Sequence, residues 1–414
     1  MKILIIGSGG REHAIGWKLS LDSRVEKLYF APGNGGTAEL GENIGIQVTE
    51  IEKLLEFAVK NEIDLTVAGP ELPLTLGVVD KFREAGKTIF GPDKHAAQLE
   101  GSKAFAKDFM LRHNIPTAGY DVYSNVSSAV KAVENAKYPL VIKADGIAAG
   151  KGVIICEDFA QAKKELEGIM VDKRFGAAGE KVVIEEFLRG TEASVLCFTD
   201  GKTIKPMVSA QDYKRALDGD LGLNTGGMGS VSPAFAYTEK HERIFTETIM
   251  NRTLKGMGGM YYRGVLYFGL MINGDDIKVI EFNARFGDPE IEAVLLRLKT
   301  PLLDIIEAVC AGELDKIDME WEDGFSICVV AASEGYPGEI KKGLPVTIGE
   351  KDDAVQIFHA GTAIKDGQTV TSGGRVLAVC AADETLYKAK HIVYNTLENI
   401  NFSGIQYRKD IGKV

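Results

Sequence analysis

Apolar and polar positions alternate over residues 1–100 in the manner of a sheet covered by helices. Short, continuously apolar runs predict buried strands, whereas longer runs with apolar residues every three or four positions predict helices. The predicted strands are Ile3–Ile6, Val25–Phe30, Ile63–Ala68 and Thr88–Phe90, and the predicted helices are Arg11–Ser20, Ile51–Lys60 and Leu74–Ala85. This order of elements is typical of a parallel α/β sheet, whose ligands lie at the carboxyl ends of its strands.

Three loops rich in glycine or proline follow these predicted strands. They are Gly7–Gly10, Pro32–Thr37 and Gly69–Leu72. The carboxyl ends of parallel strands share one edge of a sheet, so we expect the three loops to form one site.

The pattern changes in the middle of the chain. A long helix is predicted over Asp93–Asn114. Further helices are predicted over Ala129–Ala136 and Phe159–Ile169, strands over Pro139–Ala144, Gly152–Cys156 and Lys181–Phe187, and hairpins over Thr191–Phe198 with Thr203–Ser209 and Gly264–Ile272 with Ile277–Phe282. The last part combines predicted strands Phe325–Ala331, Val355–His359 and Val376–Ala381 with a helix over Leu386–Glu398. Both parts are therefore predicted to be α+β with antiparallel strands.

Composition narrows the class of protein. The 414 residues include 48 basic and 59 acidic side chains, a net charge of −11, which disfavours a protein that coats nucleic acid or an anionic membrane. The five cysteines are widely separated and form no CxxC pair, which is typical of buried free thiols in a reducing compartment. The apolar run after Met1-Lys2 is too short for a signal peptide, and no run approaches a membrane span. We therefore expect a cytoplasmic protein.

The segment Gly7-Ser8-Gly9-Gly10-Arg11-Glu12-His13 joins a predicted strand to a predicted helix. Glycines there allow backbone amides to approach an anion, and a helix N-terminus favours phosphate. A dinucleotide fingerprint would need glycine or alanine where Glu12 stands, and an acidic residue where Phe30-Ala31-Pro32 stands. The segment thus indicates a phosphate site or a plain tight turn, and it disfavours a dinucleotide-dependent oxidoreductase.

A second glycine-rich loop, Lys143 to Gly152, connects two predicted strands and contains two lysines. It is not a P-loop, because its glycine spacing is one residue short and Gly152 stands where a hydroxyl residue is needed. A flexible loop between strands can instead fold over a triphosphate, with backbone amides and Lys151 as donors. Chance occurrence is the alternative.

The segment Glu185 to Glu192 contains a strand end, a turn at Arg189-Gly190 and the start of another strand. The backbone of such a hinge can bind the edge of adenine. A carboxylate at the start of the next strand can accept hydrogen bonds from ribose hydroxyls. The alternative is a solvated acidic turn.

The segment Glu281 to Glu290 carries a third kind of chemistry. Strand periodicity places Glu281, Asn283 and Arg285 on one face and Phe282 in the core. Glu281 and Asn283 offer the hard oxygens that Mg²⁺ prefers. Arg285 beside them is suited to hold a transferring phosphoryl group. Asp288, followed by a proline, is expected to cap a helix, with a substrate role as the alternative.

With these motifs in this order, the chain resembles the ATP-grasp superfamily and, more narrowly, the family of phosphoribosylamine–glycine ligases, also called glycinamide ribonucleotide synthetases. The most specific marks are the opening segment Gly7 to Ala14, Asn224-Thr225-Gly226-Gly227-Met228-Gly229 and Arg285-Phe286-Gly287-Asp288-Pro289-Glu290. The resemblance implies three parts. We expect a Rossmann-like, pre-ATP-grasp domain over 1–101, a two-subdomain ATP-grasp core over 102–322 with a lid at about 121–187, and a small mixed α+β domain over 323–414.

The resemblance also implies an activity. It is the ATP-dependent ligation of glycine to 5-phosphoribosylamine in purine biosynthesis, through a glycyl phosphate, with Mg²⁺ or Mn²⁺ as cofactor. The expected partners are these small molecules and neither nucleic acid nor membrane, and the expected state is a monomer or weak homo-oligomer. One C-terminal domain ends the chain, which resembles the stand-alone form rather than the fused multifunctional form.

Site residues carry over by motif. Those expected to bind ATP are Lys103, Lys143, Gly150, Lys151, Glu185, Glu186, Phe187, Leu188 and Glu192. Lys143, Lys151 and Arg285 are expected to act in catalysis. Glu281 and Asn283 are the expected metal ligands. Many ATP-grasp enzymes have another acid on the preceding strand, but Gly264–Ile272 has none, so the metal should depend more on phosphates and water.

The two other substrates are expected between the domains. The expected contacts are Gly9, Gly10, Arg11, Asn34, Gly35, Glu71, Asp212, Lys214, Gly227 and Arg285. Asp212 is expected to hold the glycine ammonium, with an exposed Asp212–Lys214 ion pair as the alternative. Segment Ser372 to Arg375 is expected either to approach a substrate or to form a plain hairpin turn. Another carboxylate-activating ligase and a non-catalytic nucleotide sensor stay open as functions.

Overall fold

The computed structural model describes residues 1–148 and 152–413. Gly150 and Lys151, expected to bind the nucleotide, lie outside the described residues, so their roles stay predictions. No helix of the described residues is long and apolar enough to cross a lipid bilayer.

The N-terminal part is a parallel sheet with helices on its faces. Its elements are β1 (Lys2–Gly7), α1 (Gly10–Ser20), β2 (Lys27–Pro32), α2 (Thr37–Leu40), β3 (Glu42–Asn43), α3 (Ile51–Lys60), β4 (Leu65–Ala68), α4 (Glu71–Leu76), α5 (Val78–Glu84) and β5 (Ile89–Pro92). The strands pair in the order β5-β4-β1-β2-β3. The helix predicted over Leu74–Ala85 is wrong in one respect, because Gly77 has φ +92° and separates two shorter helices.

A four-stranded antiparallel sheet follows. This part of the chain forms α6 (Gln98–Gly101), α7 (Lys103–Arg112), β6 (Tyr120–Tyr123), α8 (Val126–Glu134), β7 (Leu140–Ala144), β8 (Val153–Cys156), α9 (Phe159–Met170) and β9 (Val182–Glu186). The strands pair in the order β6-β9-β7-β8. The single helix predicted over Asp93–Asn114 is wrong. Ser102 has extended backbone and ends α6, and its hydroxyl accepts a hydrogen bond from Phe105 N as the N-cap of α7.

The next part extends the N-terminal sheet. It forms β10 (Thr191–Thr199), β11 (Ile204–Pro206), β12 (Gln211–Asp212), β13 (Arg215–Leu217), β14 (Leu221–Asn224), β15 (Gly229–Ser232), α10 (Glu239–Phe245), α11 (Asn251–Gly256), β16 (Tyr262–Asn273), β17 (Asp276–Asn283), α12 (Glu290–Arg297) and α13 (Leu302–Ala311). Strand β16 pairs with β10 and β17, and its first residue, Tyr262, lies opposite Pro92 of β5. One nine-stranded sheet therefore runs through both parts, which the sequence pattern did not predict.

The C-terminal part is built on a second sheet. It forms β18 (Phe325–Ser333), β19 (Thr347–Ile348), β20 (Gln356–His359), β21 (Thr362–Lys365), β22 (Gln368–Thr371), β23 (Arg375–Asp383), α14 (Leu386–Glu398), β24 (Ile400–Asn401) and β25 (Ile405–Gln406). The sheet has the order β12-β15-β18-β23-β20, so two strands of the middle region belong to it. The predicted fold class, parallel α/β combined with α+β, is confirmed.

Candidate active site

The break between α6 and α7 positions the first predicted phosphate lysine. Lys103 lies in the first turn of α7, and its ammonium donates to the carbonyl oxygen of Gly146 at 2.9 Å. The hydroxyl of Ser102 donates to Asp145 Oδ1 at 2.9 Å. The glycine loop after β7 is thereby attached to the start of α7. Burial lowers the pKa of Lys103, and the carboxylate of Glu281 opposes that shift.

The second predicted phosphate lysine, Lys143, is buried near the end of β7. Its ammonium lies 2.9 Å from Glu185 Oε1 and donates to the carbonyl oxygen of Ile280 at 3.2 Å. Glu185 Oε2 in turn lies 2.8 Å from the ammonium of Lys107 on α7, a buried residue that the sequence analysis did not single out. Two lysines and one glutamate therefore form a buried row behind the hinge.

The predicted adenine hinge follows β9 directly. Glu186 ends the strand, and its Oε1 accepts a hydrogen bond from the amide of Gly119 at 3.0 Å. An open cavity of about 230 Å³ adjoins the hinge and is lined by Glu186, Phe187 and Leu188 together with residues of the β16–β17 hairpin, among them Met271. The hinge thus borders an open and mostly polar space, in which Phe187, Leu188 and Met271 are the apolar side chains.

The carboxylate of Glu281 lies close to four cationic side chains. Burial alone would raise its pKa, but the fields of Lys214, Lys143, Lys103 and Arg285 outweigh burial and lower it. These cations come from separate segments of the chain. The site therefore gathers cationic side chains around one carboxylate, an arrangement that suits a polyphosphate with its metal ion.

The residues present fit a magnesium ion that is bound mainly by substrate phosphates and water. Among residues 1–148 and 152–413, no group of three or more His, Cys, Asp or Glu side chains could hold a metal ion. Gly269 is the residue of β16 that pairs with Glu281, in agreement with the predicted lack of a second acid on that strand. One carboxylate and the amide oxygen of Asn283 match Mg²⁺, which keeps waters and takes substrate phosphates as ligands.

Arg285 lies just past the end of β17, held by two acids. Its Nη2 is 2.9 Å from Glu100 Oε1, and its Nε is 3.5 Å from Glu71 Oε2. Burial raises the pKa of Glu100 to about 7, although Arg285 opposes that shift. Glu71 was expected to contact a substrate, and Glu100 was not predicted. Both hold the guanidinium in place through these ion pairs.

Glu192 and Lys214 form an ion pair. Lys214 Nζ donates to Glu192 Oε2 at 2.6 Å. The pairing joins a residue expected at the ribose to one expected at the other substrates. Lys214 therefore lies beside the residue expected to bind the ribose.

Asp212 and Glu290 are interacting acids next to the glycine loop 224–229, and their surroundings are called the Asp212 pocket. Asp212 Oδ1 is buried without a hydrogen-bond partner among the described residues. Burial, with Glu290 next in effect, raises the pKa of Asp212 well above its ordinary value. A Cβ on Gly227, which has φ +111°, would lie 2.7 Å from Asp212 Oδ1, so glycine is needed where the loop touches the pocket. Glu290, a contact that prediction missed, accepts a hydrogen bond from Ser194 at 3.2 Å.

The glycine loop 7–10 already binds the carboxylate of Glu12. Glu12 Oε2 accepts from the amide of Gly9 at 2.6 Å, and Arg11 donates to Glu12 Oε1 at 2.6 Å. Phosphate binding by Gly9 would therefore require Glu12 to move. Glu12 stands where a dinucleotide fingerprint would have glycine or alanine, and its side chain fills the space between two glycines. Cβ atoms on Gly7 or Gly69 would lie within 2.5 Å of it. Binding by Gly9, Gly10 and Arg11 stays a prediction.

Asn34 and Gly35 connect the N-terminal part to the C-terminal part. The Asn34 amide donates to the carbonyl oxygens of Ser8 and His359, and Asn34 Oδ1 accepts from the amides of Gly36 and Thr37. The amide of Gly35 donates to Thr362 Oγ1 at 3.2 Å. The loops 7–10 and 32–37 thus meet as predicted, and the polar groups of Asn34 serve contacts within the protein. A site shared with Gly69–Leu72 stays a prediction.

The expected helix cap at Asp288 is wrong. Pro289 is the N-cap of α12, and the Asp288 carboxylate lies 2.9 Å from Arg375 Nη1 instead. Arg375 also donates to the carbonyl oxygen of Gly226 at 2.8 Å. The Asp288 carboxylate therefore pairs with an arginine of the C-terminal sheet and does not cap the first turn of α12. Arg375 thus contacts two segments of the candidate site, and its approach to a substrate stays a prediction.

This combination of a lid sheet, a hinge, buried lysines and a strand-borne carboxylate defines an ATP-grasp protein. Residues 1–100, 101–291 and 326–414 match the N domain, the ATP-grasp (A) domain and the C domain of phosphoribosylglycinamide synthetase. The chain belongs to the phosphoribosylglycinamide synthetase family.

Relatives and solved structures agree with that assignment. Phosphoribosylamine–glycine ligase of Caldanaerobacter subterraneus subsp. tengcongensis is 49% identical over 99% of both chains, and that of Clostridium acetobutylicum is 48% identical over 100% of both. The crystal structure of the Thermotoga maritima enzyme of that name matches with a TM-score of 0.85 and 34% identity over 100% of both chains. The biotin carboxylase domain of Hydrogenobacter thermophilus 2-oxoglutarate carboxylase, solved with MgADP, matches in fold with a TM-score of 0.78 and 15% identity, over 98% of this chain and 91% of that chain.

Proposed function

We propose that this chain joins glycine to 5-phosphoribosylamine in a reaction driven by ATP, giving glycinamide ribonucleotide, ADP and phosphate in purine biosynthesis. The observation that carries the proposal is the convergence of Lys103, Lys143, Lys214 and Arg285, from separate segments of the chain, on the Glu281 carboxylate. Such a group of cations around a carboxylate suits a triphosphate and its metal ion, and the family membership points to the same ligation.

The chemistry requires activation of glycine. A carboxylate does not acylate an amine at neutral pH, because oxide is a poor leaving group. Transfer of the γ-phosphoryl group to a glycine carboxylate oxygen breaks the bond to the β-phosphate and gives glycyl phosphate and ADP. The amine of 5-phosphoribosylamine then attacks the carbonyl carbon, phosphate leaves, and the nitrogen loses a proton.

Cationic side chains supply the stabilisation that such a transfer needs. Lys103 and Lys143 lie at the start of α7 and the end of β7, where they can hold the phosphates. Arg285, oriented by Glu71 and Glu100, can hold the transferring group as negative charge spreads over its oxygens. Lys151 would close over the same group.

We assign the metal ion to Glu281 and Asn283. Mg²⁺, or Mn²⁺, bound there would neutralise phosphate charge. The base would lie against the hinge formed by Glu185, Glu186, Phe187 and Leu188, and Glu192 would accept hydrogen bonds from the ribose hydroxyls in exchange for its contact with Lys214.

The glycine ammonium fits the pocket of Asp212 and Glu290. Two buried carboxyl groups side by side repel each other when both are charged, and a cation between them removes that cost. Gly227 lets its loop approach the same pocket. We assign the acceptor to the neighbouring junction of the Gly9–Arg11 loop with Glu71, whose internal bonds would then be exchanged for bonds to the substrate.

The proposed organisation keeps the predicted division into 1–101, 102–322 with a lid at about 121–187, and 323–414. The acidic net charge supports small-molecule substrates without nucleic acid. We propose a monomer or weak homo-oligomer.

The test is release of ADP by the purified protein with ATP, Mg²⁺, glycine and 5-phosphoribosylamine. We expect release to need both glycine and the amine, and other carboxylates such as alanine or aspartate to give little. Equal release without glycine would contradict the proposal.

A further inference from the structure

We propose that Lys107 is a positioning residue that neutralises Glu185 and so leaves the charge of Lys143 to the nucleotide phosphates. The inference rests on the proposed binding of ATP by Lys143. Lys107 was not among the predicted site residues, and its side chain is 2% exposed in the interior of α7.

The geometry is that of one carboxylate shared by two ammonium groups. Glu185 Oε2 lies 2.8 Å from Lys107 Nζ, and Glu185 Oε1 lies 2.9 Å from Lys143 Nζ. Lys107 Nζ also donates to Thr117 Oγ1 at 2.8 Å, and that hydroxyl donates to the carbonyl oxygen of Val279 at 2.6 Å. Lys107 is thus fixed between α7 and β17.

The two ammonium groups do not have the same freedom. Lys143 Nζ has only a carbonyl contact besides Glu185 among the described contacts, and it lies close enough to Glu281 and Lys103 to influence the pKa of each. The Lys107 ammonium contacts Glu185 and Thr117. In the part of the chain that the structure describes, it makes no contact with Glu281 or with Lys103, Lys214 and Arg285, the other cations around Glu281. We infer that Lys107 holds Glu185 continuously, whereas Lys143 can turn toward a phosphate.

The net charge of the two lysines and one glutamate determines how Lys143 can bind a phosphate. The row of two lysines and one glutamate has a net charge of +1, and that surplus is what a phosphate can use. Without Lys107 the remaining pair is neutral, and Lys143 would have to leave a buried carboxylate unpaired in order to reach a ligand. Breaking a buried ion pair in this way is strongly unfavourable. Loss of Lys107 should therefore weaken nucleotide binding without removing any nucleotide contact.

The first experiment compares Lys107→Met with Arg112→Met, which removes an exposed cation from the same helix. Binding of a non-hydrolysable ATP analogue is measured by calorimetry, and steady-state kinetics are measured in parallel. We expect Lys107→Met to raise the Kd of the analogue and the KM for ATP at least fivefold, with the KM for glycine within twofold of wild type. Arg112→Met should match wild type. A change of less than fivefold in the Kd of Lys107→Met would overturn the inference.

The second experiment removes the charge through which Lys107 is proposed to act. Once Glu185→Gln has made the hinge residue neutral, adding Lys107→Met should change the Kd of the analogue less than twofold. A purely structural role, or a direct contact with the nucleotide, predicts the same loss in both backgrounds and would overturn the inference. The double variant keeps the net charge of +1 of the wild-type row, now carried by Lys143 alone. If Lys107→Met alone fails to fold, the Kd of the double variant is compared directly with that of wild type, and a loss of fivefold or more would overturn the inference.

The two proposals fail differently in these experiments. Calorimetry with the analogue does not depend on turnover, so it tests Lys107 even if the reaction is misassigned. If the wild-type protein binds the analogue but releases ADP without glycine, the proposed ligation is wrong. If ligation is observed and the two-background comparison shows equal losses, only the role of Lys107 is wrong.

Discussion

At the scale of single residues, charge balance decides what the site can bind. Glu281 stays below its ordinary pKa only because Lys214, Lys143 and two further cations surround it. Asp212 shows the opposite effect, since burial beside Glu290 raises its pKa. A polyphosphate with a metal ion suits the first environment, and an ammonium group suits the second.

The first prediction concerns Glu281. We expect Glu281→Gln to lower turnover at least 100-fold, about 2.7 kcal/mol of transition-state stabilisation, because the centre loses its charged metal ligand. The measurement is glycine-dependent ADP release at saturating Mg²⁺. The matched control is Glu56→Gln at an exposed position of α3, which should behave as wild type. Turnover within threefold of wild type would remove Glu281 from the proposed mechanism.

At the scale of elements, glycines set how closely a loop can approach a side chain. Gly227 has φ +111°, and a Cβ there would lie 2.3 Å from Pro289 Cδ. The loop is held from the other side, where its Gly226 amide donates to the hydroxyl of Tyr336 at 3.0 Å. The loop therefore has little room to shift, and its contact with Asp212 depends on the missing side chain.

The second prediction compares two glycines that both have positive φ. Gly227→Ala should lower kcat/KM for glycine at least tenfold, because the new methyl group displaces the loop from the Asp212 pocket. Gly274→Ala is the control, since Gly274 also has positive φ, +60°, but a Cβ there meets nothing within 4 Å. Gly274→Ala should lose about 1 kcal/mol of unfolding free energy from backbone strain, measured by urea denaturation. Gly227→Ala should lose more, because its methyl group also meets Pro289. Equal activity of the two variants would show that the loop does not contact glycine.

At the scale of the whole molecule, the C-terminal part completes the site from outside the ATP-grasp region. Arg375 on β23 bonds both the glycine loop and Asp288. Strands β12 and β15 join the C-terminal sheet, so Asp212 at the end of β12 is positioned by that sheet. The small-molecule site is therefore shared among distant segments.

The third prediction tests that sharing. Arg375→Met should raise the KM for glycine or for the amine at least tenfold, because the loop at Gly226 loses its anchor, and should leave the KM for ATP within threefold. Lys388→Met, which removes an exposed cation of α14, should change none of these constants. An unchanged KM for both substrates in Arg375→Met would confine the C-terminal part to a scaffold role.

The fourth prediction concerns the junction between the N-terminal and C-terminal parts. His13 Nδ1 accepts a hydrogen bond from the amide of His359, and burial lowers the pKa of His13 to about 3 and of His359 to about 4. Because both folded-state pKa values lie below the ordinary value of 6.5, their contribution to stability is complete above pH 6.5. It falls as the pH decreases toward the folded-state values.

The measurement is the free energy of unfolding between pH 7.5 and about 5. Each histidine should contribute a loss of up to about 1.4 kcal/mol per pH unit below 6.5. In His13→Asn, whose amide oxygen can still accept the bond from His359, the slope should be shallower by the share of one histidine. An identical slope in wild type and variant would argue that His13 does not titrate on unfolding.

Local patterns were sufficient for a large part of this description. Runs of apolar residues predicted most strands and helices, because period and length report burial directly. The order of glycine loops, lysines and acids along the chain identified the superfamily, since these residue types serve phosphate and magnesium wherever they occur together. The lack of an acid on the strand that precedes Glu281 could also be read from the chain.

Contacts between distant segments could not be read in this way. Ser102 and Gly77 break predicted helices through single backbone conformations, and a periodicity pattern does not register them. Glu100 and Glu290 are acids in ordinary helical surroundings, and only packing brings them to Arg285 and Asp212. Burial, and the charges that it brings together, depend on the path of the whole chain. For that reason the chain order identifies the chemistry, whereas the folded arrangement determines the charge of each group and its partner.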